Sequence, residues 1–515
     1  MHEPQNDNKR IAYNTILLYV RMLFLVLISL YTSRIVLQVL GVEDFGINNV
    51  VGGVITSLGF ITGSLSGASS RFITFSLGEG NQDNLKRVFG NIVTIHIIFA
   101  LTILIIGETI GLWFMTTQLN IPEERENAAF WVYQFSIFTA IGSFISAPYN
   151  AAIIAHEKMT AFAYLTIGDA VLKLLSIFIL TTLSYDKLIL YALFIFCIQS
   201  FDFIVYISYC SIKFKETRLK KLFVDKSFFK EILSFAGWTM SGNLSIFGYT
   251  QGLNILLNIF FNPIINTARG IAVQVQTIIN NFSLNFQMAL NPQLTKSYAQ
   301  NDFSRMHELL MISSKFSVFL LYFICLPLML EAKTILTWWL GEYPTYTIIF
   351  LRLILITSML FALSNPLITA VHSTGKIKKF QIIEGTMLLM IVPIAYCFLK
   401  FFNTPPESVF IVHICIEILT QYVRLKIILP MIKLDQKKYI NEVIKPIILV
   451  ISTTIILPII IYLFCQTFTD AVLSFFIVCI TCTISISSGI YFWGCNKKEK
   501  LIIATKSKEI LSKLH

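Results

Sequence analysis

The first apolar run, Tyr13 to Leu40, is 28 residues long. A bilayer crossing needs roughly 20 residues, so this run predicts a transmembrane helix with some tilt. Apolar runs of this kind recur from end to end, at 11–40, 46–75, 88–115, 128–154, 160–183, 188–212, 231–260, 264–290, 309–330, 345–372, 378–400, 407–430, 443–466 and 470–494. They are far longer than the roughly 10-residue alternating segments of a membrane barrel. The pattern predicts an all-α, polytopic membrane protein of about 14 transmembrane helices.

The pattern also repeats. Pro148, Ala152, Lys158 and Phe162 recur as Pro366, Ala370, Lys376 and Phe380, each 218 residues later. Glu108, Thr109, Ile110 and Trp113 are echoed by Glu331, Thr334, Ile335 and Trp338, and Ser76–Asn84 by Ser297–Ser304. A repeat holding six runs keeps its orientation, so the two copies are related by a pseudo-twofold axis along the membrane normal. The expected division is an N-lobe over 1–225, a C-lobe over 226–432, and two further helices with a basic tail over 433–515.

Composition agrees: 55% of residues are hydrophobic and 13% charged, about half the charged fraction of a soluble protein. No cleavable signal peptide is evident, since the first run is too long for a signal core. With the N-terminus cytoplasmic, 28 of the 40 Lys and Arg residues fall in loops on that side and four on the other. Both termini are therefore expected inside. The net charge of +11 is then a topology signal, and nucleic acid is not an expected partner, because no basic loop is paired with an aromatic stacking surface. The nine cysteines read as small hydrophobes; the Cys479–Cys482 spacing has no second pair to complete a metal site. Neither a phosphate loop nor a dinucleotide fingerprint is present. No cofactor, no metal and no enzymatic activity are expected.

Charges inside the runs carry the candidate chemistry. Arg21 lies 11 residues past Arg10, roughly 16 Å deep at about 1.5 Å per residue. A charge there costs at least about 2.5–3.5 kcal/mol and needs an acidic partner, water or a visiting anion. Run 8 places Arg269, Gln276, Asn280, Ser283, Gln287 and Asn291 within an arc of about 80° at 100° per residue. Run 7 adds Asn243, Thr250 and Asn254 on one arc. Lipid cannot satisfy such groups, so the stripe is either an interhelical seam or the lining of a hydrophilic cavity; the cavity is the favoured reading. Asp169 with Lys173, and Glu417 with Arg424, have the spacing of structural ion pairs. Arg71 and Arg34 lie toward run ends, where they can snorkel. Asp202 is a candidate partner for Arg21. The Gly59, Gly63 and Gly67 spacing is a packing signal.

Leu40-Gly41-Val42-Glu43-Asp44-Phe45-Gly46 resembles the LGxxxFG turn of polysaccharide exporters in the multidrug/oligosaccharidyl-lipid/polysaccharide (MOP) superfamily. Pro148-Tyr149-Asn150-Ala151-Ala152, leading to His156-Glu157-Lys158, is similar to the end of that family's fourth helix. The resemblance implies an O-antigen or capsule repeat-unit flippase of the bacterial inner membrane. Its cargo would be an undecaprenyl-diphosphate-linked oligosaccharide, moved from the cytoplasmic to the periplasmic leaflet by alternating access. Partners would be membrane lipids and other glycan-assembly proteins. Related lipid II flippases use cavity arginines on the first and eighth helices, which Arg21, Arg34 and Arg269 match by location. The expected substrate-binding set is Arg21, Arg34, Arg71, Asn254, Arg269, Gln276, Asn280 and Gln287. Two rivals stand beside this: a cation-coupled multidrug exporter of the same superfamily, with Asp202 and Glu417 as ion-coupling residues, and a membrane enzyme of glycan assembly, against which the short outer loops argue.

Overall fold

A computed structural model describes residues 4–56, 59–118, 121–218, 224–261, 263–468, 470–497 and 499–501. The fold is all-α, with 91% of residues helical and no strand among the described residues. Two compact units emerge. One takes the described residues up to Asn243 together with Ala289–Asp302; the other takes Leu244–Met288 together with those from Phe303 onward.

The first unit contains α1 (Pro4–Thr56), α2 (Gly59–Glu79), α3 (Gln82–Ile106), α4 (Leu112–Gln118), α5 (Glu126–Ala155), α6 (Met159–Thr182) and α7 (Lys187–Lys213). Two long helices follow, α8 (Lys226–Phe260) and α9 (Pro263–Ala299), and the division between units falls inside both. The second unit continues with α10 (Phe303–Leu330), α11 (Ala332–Leu340), α12 (Thr347–Thr374), α13 (Lys378–Leu389), α14 (Ile391–Phe402) and α15 (Ser408–Met431). It ends with α16 (Gln436–Tyr439), α17 (Lys445–Thr454), α18 (Ile456–Phe468) and α19 (Ala471–Gly489).

Ten described stretches are both long and apolar enough to cross a membrane. They do not establish the expected fourteen. Helices α8 and α9 have the length but fall outside the ten, because their amides and hydroxyls lower the hydropathy of every window. A crossing helix this polar must present that face to protein or water.

The first predicted turn is present. Gly41 breaks α1 with φ 78° and ψ 171°, a region open essentially to glycine alone. No atom lies within 4 Å of where its Cβ would sit, so backbone conformation, not crowding, selects glycine. Gly41→Ala is expected to lower stability by about 1–3 kcal/mol, read as a fall in the thermal unfolding midpoint in detergent.

In the first unit, α5 packs against α1, α2, α3 and α7. Its fully buried Tyr133 donates to the Gly107 carbonyl at 2.7 Å, satisfying an acceptor at the π-helical turn Gly107–Gly111. Near the same end Arg125 donates to Asp44 at 2.8 Å and to Asp186 at 2.6 Å, and Asp186 also caps α7 through the Leu188 and Ile189 N–H groups. Burial alone would raise the Asp186 carboxyl; the hydrogen bonds from Arg125 and those N–H groups outweigh it and hold the group below its ordinary value of 3.8. A carboxyl depressed in the fold stabilises fully above that ordinary value and loses its contribution as pH falls through the lower folded one. Hydrogen exchange in 121–126 is therefore expected to accelerate below about pH 4 in the wild type, and to lose that acid step in Asp186→Asn.

In the second unit α12 packs against α10 and α15, with α17 and α19 on α10. The buried Lys315 on α10 meets Glu499 at 2.7 Å, tying the segment after α19 to this core.

Candidate anion-binding site

Helix α9 presents the polar stripe predicted for it, and the structure divides that stripe by what each residue meets. Arg269 is 8% exposed. Its Nη2 donates to the Thr250 carbonyl at 2.9 Å and its Nη1 to Asn254 Oδ1 at 3.2 Å. Both acceptors lie on α8, so two points one turn apart hold the planar fork. The third donor, Nε–H, is buried with no partner. Among the described residues Arg269 forms no ion pair with a carboxylate. A buried guanidinium without a countercharge is costly.

Other acceptors on α9 are also unspent. The Oδ1 atoms of Asn266 and Asn280 are buried and have no partner, and so is that of Asn291 in the first-unit part of α9. Sequence reasoning missed Asn266, although it stands three residues before Arg269 on the same helical face.

Gln276 and Gln287 belong to a different environment. Gln276 donates to Thr357 Oγ1 at 3.1 Å on α12. Gln287, fully buried, donates to Ser317 Oγ at 2.9 Å and the Ala362 carbonyl at 3.0 Å, and accepts from Asn365 at 2.5 Å. Ser283 is fully buried beside them. Here these residues join α9 to α10 and α12 as an interhelical seam. Helical phase puts them beside Arg269, but α10 and α12 cover that part of the face. On α8, Asn243 donates to Ser64 in the first unit at 3.0 Å, while Asn254 is spent on Arg269.

In the first unit Arg21 donates through Nε to Thr166 Oγ1 at 2.6 Å, and its guanidinium carbon lies 4.3 Å above the Phe162 ring. The Thr166 hydroxyl in turn donates to the Phe162 carbonyl. Among the described residues Arg21 has no carboxylate partner. Asp202, a candidate counter-ion for Arg21, forms no ion pair with it; beside Asp202 the expected Asp169–Lys173 pair is closed at 2.8 Å. Arg71 sits against the rings of Phe72, Phe75 and Phe235 at 4.4, 4.9 and 5.5 Å, a cation–π setting with Glu231 and Glu79 nearby. The Arg34 side chain lies outside the described residues.

Glu417 pairs with Arg424 at 2.6 Å, and Glu384 from α13 joins the same guanidinium at 2.6 Å. Ser364 and Gln421 complete the cluster at 2.8 and 3.3 Å. Glu417 is therefore ion-paired, in a cluster of two carboxylates around one guanidinium.

No protein-family model matches the chain, and no curated protein matches it. Solved structures do. A multidrug resistance MATE family transporter of the MOP superfamily, in an outward-facing conformation, superposes with a TM-score of 0.71 at 14% identity, covering 83% of this chain and 96% of that one. A MATE structure in the straight conformation gives 0.72 at 14%, covering 84% and 97%. A MOP superfamily transporter from Pyrococcus furiosus Vc1, described as having a binding pocket of reverse polarity and a different function, gives 0.69 at 14%, covering 83% and 96%. The chain has the fold of the MATE-type MOP transporters, and it is a multi-pass membrane protein.

Proposed function

We propose that this chain is a membrane transporter that moves an undecaprenyl-diphosphate-linked oligosaccharide from the cytoplasmic to the periplasmic leaflet of a bacterial inner membrane. The observation that carries the reading is Arg269, a buried guanidinium held by neutral oxygens, with its Nε–H unpartnered and no carboxylate beside it among the described residues. A diphosphate entering a low-dielectric interior needs fixed positive charge, and a guanidinium matches phosphate oxygens with two parallel donors. The unpartnered amide oxygens of Asn266 and Asn280 can accept from sugar hydroxyls. Arg21, in the first unit, likewise meets no carboxylate among the described residues.

The rival is a cation-coupled multidrug exporter. It needs an uncompensated carboxylate facing the cargo. Glu417 is paired with Arg424; Asp202, which forms no ion pair among the described residues, is the feature that still favours this rival. The MOP transporter with a pocket of reverse polarity supports the view that this fold carries sites of either sign.

Proteoliposomes holding the purified protein and a lipid-linked oligosaccharide decide between them. Transfer of the glycan between leaflets, scored by accessibility to an added glycan-processing enzyme, is expected. Export of cationic dyes without glycan transfer would overturn the reading.

A further inference from the structure

The loop between α5 and α6 contains a residue in the wrong conformation for its type. Glu157 has φ +58°. The Lys158 N–H reaches back to the Ile153 carbonyl at 3.0 Å and the Glu157 N–H to Ile154 at 2.9 Å, so Glu157 takes the left-handed position after a helix that normally falls to glycine. The repeat supplies the comparison. At the offset of 218, the same position is Gly375, with φ +73°. The second copy of the loop uses the residue that suits the turn. The first copy holds a glutamate there, in a conformation that side chains other than glycine adopt at a cost.

The side chain shows what offsets that cost. Glu157 is 5% exposed. Its carboxylate accepts from Lys296 Nζ at 2.7 Å and from Gln293 Nε2 at 3.2 Å, both on the last turns of α9 and three residues apart. Its carbonyl accepts from Asn14 on α1 at 3.5 Å. The residues on either side of it have other business: His156 pairs with Glu216 and stacks on Phe214 at 4.0 Å, and Lys158 is exposed. The same part of α9 is pressed against α2, where a Cβ on Gly78 would lie 2.8 Å from Ala299 Cβ and 3.0 Å from the Lys296 carbonyl. Only the last part of α9, from Ala289, with the turn that follows to Asp302, belongs to the first unit; the part bearing Arg269 belongs to the second.

We infer that Glu157 is a latch: its ion pair with Lys296 and hydrogen bond from Gln293 hold the end of the anion-binding helix in the first unit, and the transport cycle must release it. The latch stands on the geometry alone; its link to a cycle rests on the transporter reading. An ion pair fits such a role because, once parted, both charges regain water at the expected cytoplasmic surface, whereas an apolar contact would strand two apolar faces.

The test is hydrogen exchange of the full-length protein in nanodiscs without cargo, comparing Glu157→Gly, Glu157→Lys and the exchanged pair Glu157→Lys with Lys296→Glu. Glu157→Gly relaxes the turn and removes the latch together. It is expected to raise exchange in 289–302 about tenfold, the change produced by about 1.4 kcal/mol of opening free energy, while α12 and α15 keep wild-type protection. Glu157→Lys does the same or more, and the exchanged pair returns protection to near wild type. Wild-type exchange in Glu157→Gly, or an exchanged pair as unprotected as Glu157→Lys, overturns the latch; should Glu157→Lys not fold, Glu157→Gly still decides. A wild-type protein with this exchange pattern that moves no lipid-linked glycan refutes the cargo and leaves the latch intact.

Discussion

Replacing Arg269 by alanine is expected to cut transfer of a lipid-linked oligosaccharide about 10- to 150-fold while the protein still folds, since hydrogen bonds to a charged group contribute about 1.5–3 kcal/mol. Among the described residues the side chain has no carboxylate partner to strand, so its removal leaves the Thr250 carbonyl and Asn254 Oδ1 short of a donor. The loss therefore falls on the cargo more than on stability. Arg269→Lys separates charge from shape: it keeps the cation but not the fork, and is expected to retain part of the activity and to weaken binding of the diphosphate. Asn254→Ala frees one Arg269 donor and is expected to have the smaller effect. Initial transfer rates in proteoliposomes, with midpoint temperatures measured alongside, check the set. Wild-type transfer in Arg269→Ala would remove the guanidinium from the mechanism, and with it the reading that α9 meets an anion.

The isolation of Arg269 was legible in the sequence because run 8 contains no acidic residue at all. So was the break at Gly41, where an apolar run gives way to a polar, glycine-containing turn. The division of the α9 stripe was not. Periodicity tells which residues share a face, and Gln276, Gln287 and Arg269 do share one. It says nothing about which stretch of that face another helix covers, and α10 and α12 cover the part holding Gln287. Ion pairing shows the same limit. Glu417 and Arg424 lie seven residues apart on one helix and could be paired from spacing, whereas Glu384 reaches the same guanidinium from α13, 40 residues earlier. Asp202 was a candidate partner for Arg21 on charge alone; in the fold Arg21 meets Thr166 and the Phe162 ring. Glu157 stood in a motif singled out by resemblance, but only a backbone angle distinguishes it from any other loop glutamate.

Arg424→Ala is expected to be the most damaging single change to stability, by about 3–5 kcal/mol. The side chain is 4% exposed, with Glu384 and Glu417 at 7% and 6%. Removing the guanidinium leaves two carboxylates facing each other in a low-dielectric interior and takes the donors from Ser364 and Gln421 as well. The cost comes from what remains, not from the bond that is lost. This distinguishes the cluster from Arg269, where the deleted cation leaves only neutral groups. Adding Glu384→Gln and Glu417→Gln to an Arg424→Met background removes the stranded charges, and is expected to recover most of the loss, because replacing a buried ion cluster with neutral groups of similar volume is often close to neutral. The effects must then be strongly non-additive: each glutamine alone destabilises the wild type, and both together rescue Arg424→Met. Thermal unfolding in one detergent across the set reads this directly. Additive losses would mean the two carboxylates are not held to a common cation, and Glu417 would return as a free acid able to couple an ion to transport.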